Sequence, residues 1–181
     1  MKRKSKVPIL FIIIPIQFYS FLFADKISDR EYQIKSAYLY NFTKFIEWPD
    51  NAFQENDSNF IIGVYNDPEF VSILQTLNGK FTKGKKIHVI QIETLQELPI
   101  VHLLYFATSH KQDLNKILKS FQDQAVLTVG EDDIFLTSGG IINLQKRKNR
   151  MQFAINNEAA VQSNIKISSK LLGLATNSKS W

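Results

Sequence analysis

The 181-residue chain contains no cysteine, only three histidines, seven glycines and five prolines. Without cysteine it can form no disulfide bond, no thiolate metal site, no cysteine nucleophile and no lipid-modified cysteine. Hydrophobic residues make up 44% of the chain and charged residues 22%, which is ordinary for one globular domain. The stability of the protein must therefore come from a packed core.

Acidic residues are absent from the first 24 positions, which read MKRKSK followed by an apolar run that ends at Ala24. A basic start, an apolar run and a small last residue are typical of a secretory signal peptide. We predict that residues 1–24 are removed on export and that residues 25–181 form one domain. Leu22 stands where a cleavage site prefers a small residue, so retention of the segment as a membrane anchor is the alternative.

The positive charge of the chain comes mainly from this export segment. The formal net charge is +5, but the segment holds four of the 22 basic residues, so residues 25–181 carry 18 basic against 17 acidic residues. The pI of about 9.3 is therefore a property of the segment. It gives no support to nucleic-acid binding, and we predict none.

Motifs of enzymes and cofactor sites are missing from the sequence. It has no G-x-S-x-G elbow, no H-E-x-x-H, no G-x-G-x-x-G and no P-loop. His88 and His102 lie in predicted strands, where a structural histidine is the better interpretation, and Ser109 is interpreted as a helix cap. The acidic run 131–133 follows a strand, where Mg²⁺ could bind, although solvated loop carboxylates are commoner. We predict a protein without enzymatic activity, cofactor or metal.

Hydrophobic periodicity predicts alternating helices and strands. Helices are predicted over residues 32–48, 66–79 and 109–121 and in the tail after residue 156, with Asp67 and Ser168 as caps. Strands are predicted over residues 60–65, 85–92, 101–108, 125–130, 139–145 and 151–156, the last two joined by a turn over 146–150. This order favours an α/β fold: a layered sheet of about six strands, largely parallel with a late antiparallel hairpin, and helices on both faces.

The first predicted helix carries the densest group of aromatic residues, in the stretch AYLYNFTKFIEWPD. At 100° per residue, one stripe is predicted to face the core. It consists of Ile34, Tyr38, Asn41, Phe42 and Phe45. Tyr40 points the other way, on the side of Ser36, Thr43 and Glu47.

Seven segments of the sequence, taken together and in this order, resemble the YfiR family. They are EYQIKSAYLYNFTKFIEWP, IGVYNDP, HLLYFA, VLTVGEDDIF, GGIINL, RMQFAINNEAA and IKISSKLLGLA, and they cover about residues 31–175. The resemblance implies a periplasmic α/β regulator that binds the periplasmic sensor domain of an inner-membrane diguanylate cyclase and represses it. Cyclic di-GMP signalling and biofilm formation would then respond to this protein. Some members of the family carry paired cysteines that link their state to redox conditions, and this chain has none.

A second function is compatible with the same resemblance, since related domains occur fused to membrane sensor kinases. The protein would then be a periplasmic small-molecule sensing module acting on another membrane sensor, such as a histidine kinase. A solute would bind in the crevice at the ends of strands such as 60–65 and 125–130. The sequence is also compatible with a homodimer.

Six residues are predicted to contact the membrane partner: Tyr40, Glu47, Trp48, Arg150, Asn156 and Lys170. The first three lie on the outer face or at the end of the first helix, the next two flank the last strand, and the last lies in the closing helix. Each has a structural alternative. Tyr40 could be an ordinary exposed ring, Trp48 a core residue, Asn156 a helix cap, and Lys170 a solvated charge.

Overall fold

The computed structural model describes residues 17–53, 59–96, 98–107 and 114–176, with side chains from residue 29 onward. These ranges contain five α-helices: α1 (Gln17–Phe45), α2 (Pro68–Leu74), α3 (Leu114–Lys119), α4 (Asn157–Gln162) and α5 (Ser169–Leu174). Their strands are β1 (Ile46–Glu47), β2 (Asn59–Tyr65), β3 (Phe81–Thr82), β4 (Lys85–Ile92), β5 (Leu103–Phe106), β6 (Leu127–Gly130), β7 (Ile142–Arg147), β8 (Arg150–Ile155) and β9 (Lys166–Ile167).

A seven-stranded sheet in the order β3-β4-β2-β5-β6-β7-β8 forms the centre of the domain. The five strands from β4 to β7 are parallel, and antiparallel partners flank them on both sides. The predicted α/β sheet with a late antiparallel hairpin is therefore confirmed. The prediction missed β3, because two residues are too short to show an alternating pattern. It also missed β1 and β9, which pair with each other outside the main sheet.

Helices cover both faces of the sheet, as predicted. On one face, Phe60, Ile62 and Val64 of β2 pack in a core with α1, α2, α4 and α5. On the other face, Leu104 and Phe106 of β5 pack in a second core that includes residues of α3. The alternation follows from strand geometry, in which successive side chains point to opposite faces.

The buried face of α1 differs from the predicted stripe. Leu39, Phe42 and Ile46 are fully buried, but Ile34 is 40% exposed, and Asn41, also assigned to the core stripe, is exposed. Ser36 and Thr43, assigned to the outer side, are buried instead. The burial of Thr43 is tolerated because its Oγ1 donates to the carbonyl of Tyr40 at 2.8 Å and lies 2.7 Å from Thr82 Oγ1. The helix is thus rotated relative to the prediction.

The two ends of α1 also bear on the predictions. The helix ends at Phe45, three residues earlier than predicted, because Ile46 and Glu47 leave it to pair with β9. The described part of the helix starts at Gln17 and passes through the predicted cleavage point after Ala24, while residues 1–16 of the predicted signal peptide lie outside the described residues. Among the described residues, no helix has both the length and the apolar character needed to cross a membrane.

Local signals at the other element ends are largely confirmed. Asp67 Oδ1 accepts a hydrogen bond from the Phe70 N–H at 3.0 Å, and Ser168 Oγ accepts one from the Leu171 N–H at 3.3 Å, so both predicted caps are present. The turn between β7 and β8 is shorter than predicted. It consists of Lys148 and Asn149, both with positive φ, as a two-residue hairpin turn requires. Ser109 lies outside the described residues.

Candidate functional site

A crevice of about 400 Å³ lies at the carboxyl ends of the parallel strands. In chain order the five parallel strands are arranged 2-1-3-4-5, so the chain turns back between the first strand, β2, and the third, β5. In sheets of this order, ligands bind outside the carboxyl ends at that switch point. The crevice is lined by Tyr32 and Lys35 of α1, by Asn66, Asp67, Pro68 and Glu69 after β2, by Tyr105 and Ala107 at β5, and by Glu131 after β6.

Lys35 is the charged centre of the crevice. Its side chain is 7% exposed, and its ammonium lies 2.8 Å from Glu131 Oε1 and 2.9 Å from Glu31 Oε1. Glu31 also pairs with Lys146 of β7 at 3.1 Å. A buried ammonium is stable only when paired, and here two carboxylates provide the pairing. The network joins α1 to the loop after β6 and to the hairpin β7–β8.

Two tyrosine hydroxyls extend the network across the crevice. The Tyr105 hydroxyl donates to Glu131, and the Tyr32 hydroxyl donates to Asp67 Oδ2 at 3.2 Å. The buried ring of Phe70 of α2 packs against both tyrosine rings, with ring centroids 5.0 Å from Tyr32 and 4.7 Å from Tyr105. The tyrosine side chains that line the crevice are therefore held by hydrogen bonds and by ring packing between elements distant in sequence.

The environment shifts the protonation of these groups. Burial opposes the charged form of Lys35, but the carboxylates of Glu131 and Glu31 outweigh it and hold its pKa above the usual value. Burial also opposes the charged form of Glu31, and the ammonium groups of Lys35 and Lys146 outweigh it and lower its pKa. Burial and the charge of Glu131 raise the pKa of Tyr105 well above its ordinary value. Lys35 and Glu31 are therefore charged and Tyr105 neutral near pH 7.

The three carboxylates of the acidic run 131–133 have different partners. Glu131 faces the crevice, Asp132 Oδ1 accepts from the Ile134 N–H at 3.0 Å, and Asp133 Oδ1 pairs with Arg147 at 2.7 Å. The three carboxylates thus do not converge on one point. Within the described residues, no group of three or more histidine, aspartate or glutamate side chains could hold a metal ion.

The sequence matches a known protein family. A family model described as YfiR/HmsC-like matches residues 32–176, which is most of the chain. The chain belongs to the YfiR/HmsC-like family. Members of this family are periplasmic regulators rather than catalysts, and they act through a membrane sensor protein. A comparison with curated proteins found no match to this chain.

The family match begins at Tyr32 in the crevice and ends at Thr176, whose N–H donates to the Phe153 carbonyl of β8 at 2.9 Å. The matched range therefore includes every residue that lines the crevice, while Glu31, which pairs with Lys35, lies one residue before it. It also contains the six residues predicted to contact a partner in this YfiR/HmsC-like protein.

Three of those six residues lie on α1 or directly after it. Tyr40 is half-buried, and its hydroxyl donates to the Phe81 carbonyl at 3.3 Å. Glu47 is exposed and pairs with Lys166 at 3.0 Å. Trp48 is 9% exposed, and its Nε1 donates to the His102 carbonyl at 3.2 Å. Trp48 is thus a core residue, as its structural alternative stated.

The other three residues lie at separate points of the second half of the chain. Arg150 is exposed at the tip of the hairpin β7–β8. Asn156 caps α4, since its Oδ1 accepts from the Ala159 N–H at 3.0 Å. Lys170 is exposed on α5, with its ammonium 5.4 Å from the centre of the Phe45 ring. The structure does not bring the six residues into one cluster, and their role in binding stays a prediction.

The position of the crevice was predicted from the sequence, but most of the residues that line it were not. The ends of strands 60–65 and 125–130 supply Asp67 and Glu131, as expected for this sheet order. Lys35 and Tyr105 were not singled out. A signal for Lys35 existed: it lies four residues before the buried Leu39, on the same helix face, so a lysine there had to find a carboxylate.

Proposed function

We propose that this protein is a non-enzymatic periplasmic regulator that binds and represses the periplasmic sensor domain of an inner-membrane diguanylate cyclase. It would thereby modulate cyclic di-GMP signalling and biofilm formation. The family match over residues 32–176 is the observation that carries the proposal. The crevice adds a possible control point, because its walls come from α1 and from the sheet and any solute within it would contact both.

Repression of this kind is a shift between two populations of the cyclase. The regulator silences its partner only if it binds the inactive conformation more tightly than the active one. A hundredfold suppression requires about 2.7 kcal/mol of differential affinity. A few anchoring side chains in an interface can supply that amount.

α1 is the element that best connects the predicted contact residues, with Tyr40 on the side of β3 and Tyr38 on the side of β8. Tyr40 belongs to α1, and Glu47 lies two residues after Phe45, the last residue of α1. The Lys170 ammonium lies over the ring of Phe45. Arg150 precedes Met151, whose carbonyl accepts from the α1 hydroxyl of Tyr38 at 3.3 Å. These contacts support a partner interface that runs along α1. Trp48 and Asn156 would act on it indirectly, by holding the end of α1 and the start of α4.

The alternative is a small-molecule sensing module that acts on another membrane sensor, such as a histidine kinase. The crevice favours this reading, since it lies at the switch point and offers two tyrosine hydroxyls. Its lining holds one ammonium, Lys35, against the carboxylates of Asp67, Glu69 and Glu131, so a cationic solute would match its charge. Binding there would change the affinity for the membrane partner.

The test begins with the tagged protein as bait on detergent-solubilised membranes of its host, with mass spectrometry of the retained proteins. Retention of a membrane protein with a diguanylate cyclase domain, whose activity falls when the regulator is added, is the expected result. A retained histidine kinase would replace the first proposal by the alternative. If the folded bait retained no membrane sensor, the regulator proposal would be overturned.

Point variants locate the interface in the same assay. Tyr40→Ala and Arg150→Ala are expected to weaken repression of the partner at least tenfold, as loss of an anchor does. Lys119→Ala on α3 is the matched control, because Lys119 is exposed on the helix that packs against the other face of the sheet. If both variants repressed as well as the control, the interface would not run along α1.

A further inference from the structure

The segment GKFTKGKK, residues 79–86, contains a hairpin at one edge of the sheet. Phe81 and Thr82 of β3 pair with Lys86 and Lys85 of β4. The turn between them is Lys83–Gly84, with φ of 51° and 76°. Positive φ at both positions is typical of the type I′ turn, which closes a two-residue hairpin and favours glycine at its second position. We call residues 80–86 the lysine hairpin.

The lysine hairpin is fixed to α1 by three contacts. The Tyr40 hydroxyl donates to the Phe81 carbonyl at 3.3 Å, and the hydroxyls of Thr43 and Thr82 are hydrogen-bonded at 2.7 Å in a buried position. The Lys83 ammonium lies 3.5 Å from the carbonyl of Lys44. The hairpin and this part of α1 therefore present one surface rather than an independent loop.

Three exposed lysines and two aromatic rings form that surface. The ammonium of Lys44 lies 4.0 Å from the centre of the Tyr40 ring, and that of Lys80 lies 5.7 Å from it. Lys83 stands at the turn, and the Phe81 side chain is 60% exposed beside it. The salt bridges among the described residues use other cations, and Lys44, Lys80 and Lys83 take part in none of them.

The chemistry of the surface favours a membrane over a protein as its occupant. Its cations are all lysines, which are depleted in protein interfaces, whereas arginine is enriched there. A lysine ammonium is a strongly hydrated point charge without the planar fork of arginine, and it suits a diffuse field of negative charge. An exposed aromatic ring between lysines is also the composition that anchors proteins at the level of lipid headgroups.

We infer that the exposed side chains of Lys44, Lys80, Phe81 and Lys83 form a surface that docks on anionic phospholipid headgroups, while Tyr40 connects this surface to α1. The ammonium groups bind in the field of the headgroup phosphates, and the Phe81 ring enters the interfacial layer. Such docking orients the domain on the membrane and does not depend on the identity of any protein partner. It therefore stands or falls separately from the proposed repression of a cyclase.

The test measures partition of the full chain onto two kinds of lipid vesicle, pure phosphatidylcholine and phosphatidylcholine with phosphatidylglycerol. The apolar residues 7–24 are present in every variant, so the readout is the ratio of the two partition constants. A lysine near an anionic surface contributes about fivefold to binding. Lys80→Gln/Lys83→Gln is therefore expected to reduce the preference for anionic vesicles about 25-fold, and Phe81→Ala is expected to weaken binding to them about tenfold.

Lys119→Gln/Lys148→Gln is the matched control, since it removes the same charge from exposed positions on α3 and at the tip of the hairpin β7–β8. It is expected to keep most of the wild-type preference. Equal losses in both double variants, or a wild-type protein that does not distinguish the two vesicles, would overturn the inference. The inference would also be overturned if the Lys80→Gln/Lys83→Gln variant bound vesicles as the wild type does but no longer bound its protein partner in detergent. The surface would then bind an acidic protein instead of lipid. Equal unfolding midpoints of the variants establish that the comparison is between folded proteins.

Discussion

The ammonium of Lys35 lies 2.8 Å from Glu131 Oε1, although the two residues are 96 positions apart in the chain. This pair fastens α1 to the loop that follows β6. The side chain of Lys35 is 7% exposed and that of Glu131 is 15% exposed, so neither charge can turn to bulk water without local opening. The crevice therefore depends on the pair for its shape as well as for its charge.

Replacing Lys35 by methionine is expected to destabilise the protein by about 3 kcal/mol, because it removes an ammonium that pairs with the partly buried carboxylate of Glu131. Urea unfolding followed by circular dichroism measures the change. Lys119→Met, at an exposed position, is the control and is expected to stay within about 0.5 kcal/mol of wild type. Adding Glu131→Gln to Lys35→Met is expected to recover part of the loss, and a single variant as stable as wild type would show that the pair contributes nothing.

Stability is expected to fall as the pH rises above about 10, and Tyr105→Phe is expected to reduce this fall. Burial and the charge of Glu131 raise the pKa of Tyr105 above its ordinary value of 10.0. The unfolded chain then loses this proton at lower pH than the folded protein, so the contribution to stability is present below pH 10 and lost above it. The pKa of Lys35 is also raised, above its ordinary value of 10.5, so Lys35 too makes stability fall at high pH. Because Tyr105→Phe retains Lys35, this part of the fall remains in the variant.

Unfolding midpoints in urea at pH 8 and pH 10.5 measure this difference. Phenylalanine keeps the packing of the ring on Phe70 but has no proton to lose, so the variant and the wild type should differ in slope as well as in absolute stability. Tyr38→Phe is the control, because it removes a tyrosine hydroxyl that donates to the Met151 carbonyl rather than to a carboxylate. Parallel pH profiles of Tyr105→Phe and wild type would contradict the assignment to Tyr105.

The fold was predictable where local signals agree with the final packing. Strand 85–92 and the caps Asp67 and Ser168 are each specified by neighbouring residues, and the structure matches them. The strand pairing of β1 with β9 was not predictable in this way. This pairing joins Ile46 to Ile167. A two-residue strand is too short to show an alternating hydrophobic pattern, so these strands can be recognised only in the tertiary structure.

Some residues of the candidate site could likewise be predicted from the sequence, and others could not. Glu131 could be singled out because it follows a buried strand at the edge where parallel sheets bind ligands. Lys35 could not be connected to it from sequence, since the pairing depends on how α1 is rotated over the sheet. The predicted rotation was wrong because Ser36 and Thr43 were taken as outward-facing, and a hydroxyl that finds a partner can be buried at small cost.

Asn156→Ala is expected to lower stability by about 1–2 kcal/mol, which would identify Asn156 as a structural residue. Its Oδ1 caps α4 through the Ala159 N–H, and its Nδ2 donates to the Leu136 carbonyl at 3.0 Å. Asn157→Ala, at the exposed next position, is the control and is expected to have little effect. A variant that keeps wild-type stability in urea but binds the membrane partner more weakly would instead make Asn156 a contact residue.

Gly140→Ala and Gly173→Ala are expected to change stability in opposite directions. A Cβ at Gly140 would overlap the ring of the fully buried Phe135, whereas a Cβ at Gly173 in α5 would meet no atom within 4 Å. Overpacking costs about 1–3 kcal/mol, and replacing a glycine by alanine in a helix gains about 0.5–1 kcal/mol. Thermal unfolding of the two variants beside wild type measures both effects.

The contact of Gly140 with Phe135 also bears on the crevice, because Phe135 closes the loop that begins at Glu131. Its N–H donates to the Asp132 carbonyl at 3.0 Å, so a displaced ring would shift this loop and with it the carboxylate that pairs with Lys35. Gly140→Ala/Phe135→Leu, with a smaller side chain opposite the new methyl group, is expected to recover part of the stability. If Gly140→Ala alone unfolded at the wild-type temperature, the ring could move freely, and the close packing of Phe135 would not be what positions Glu131.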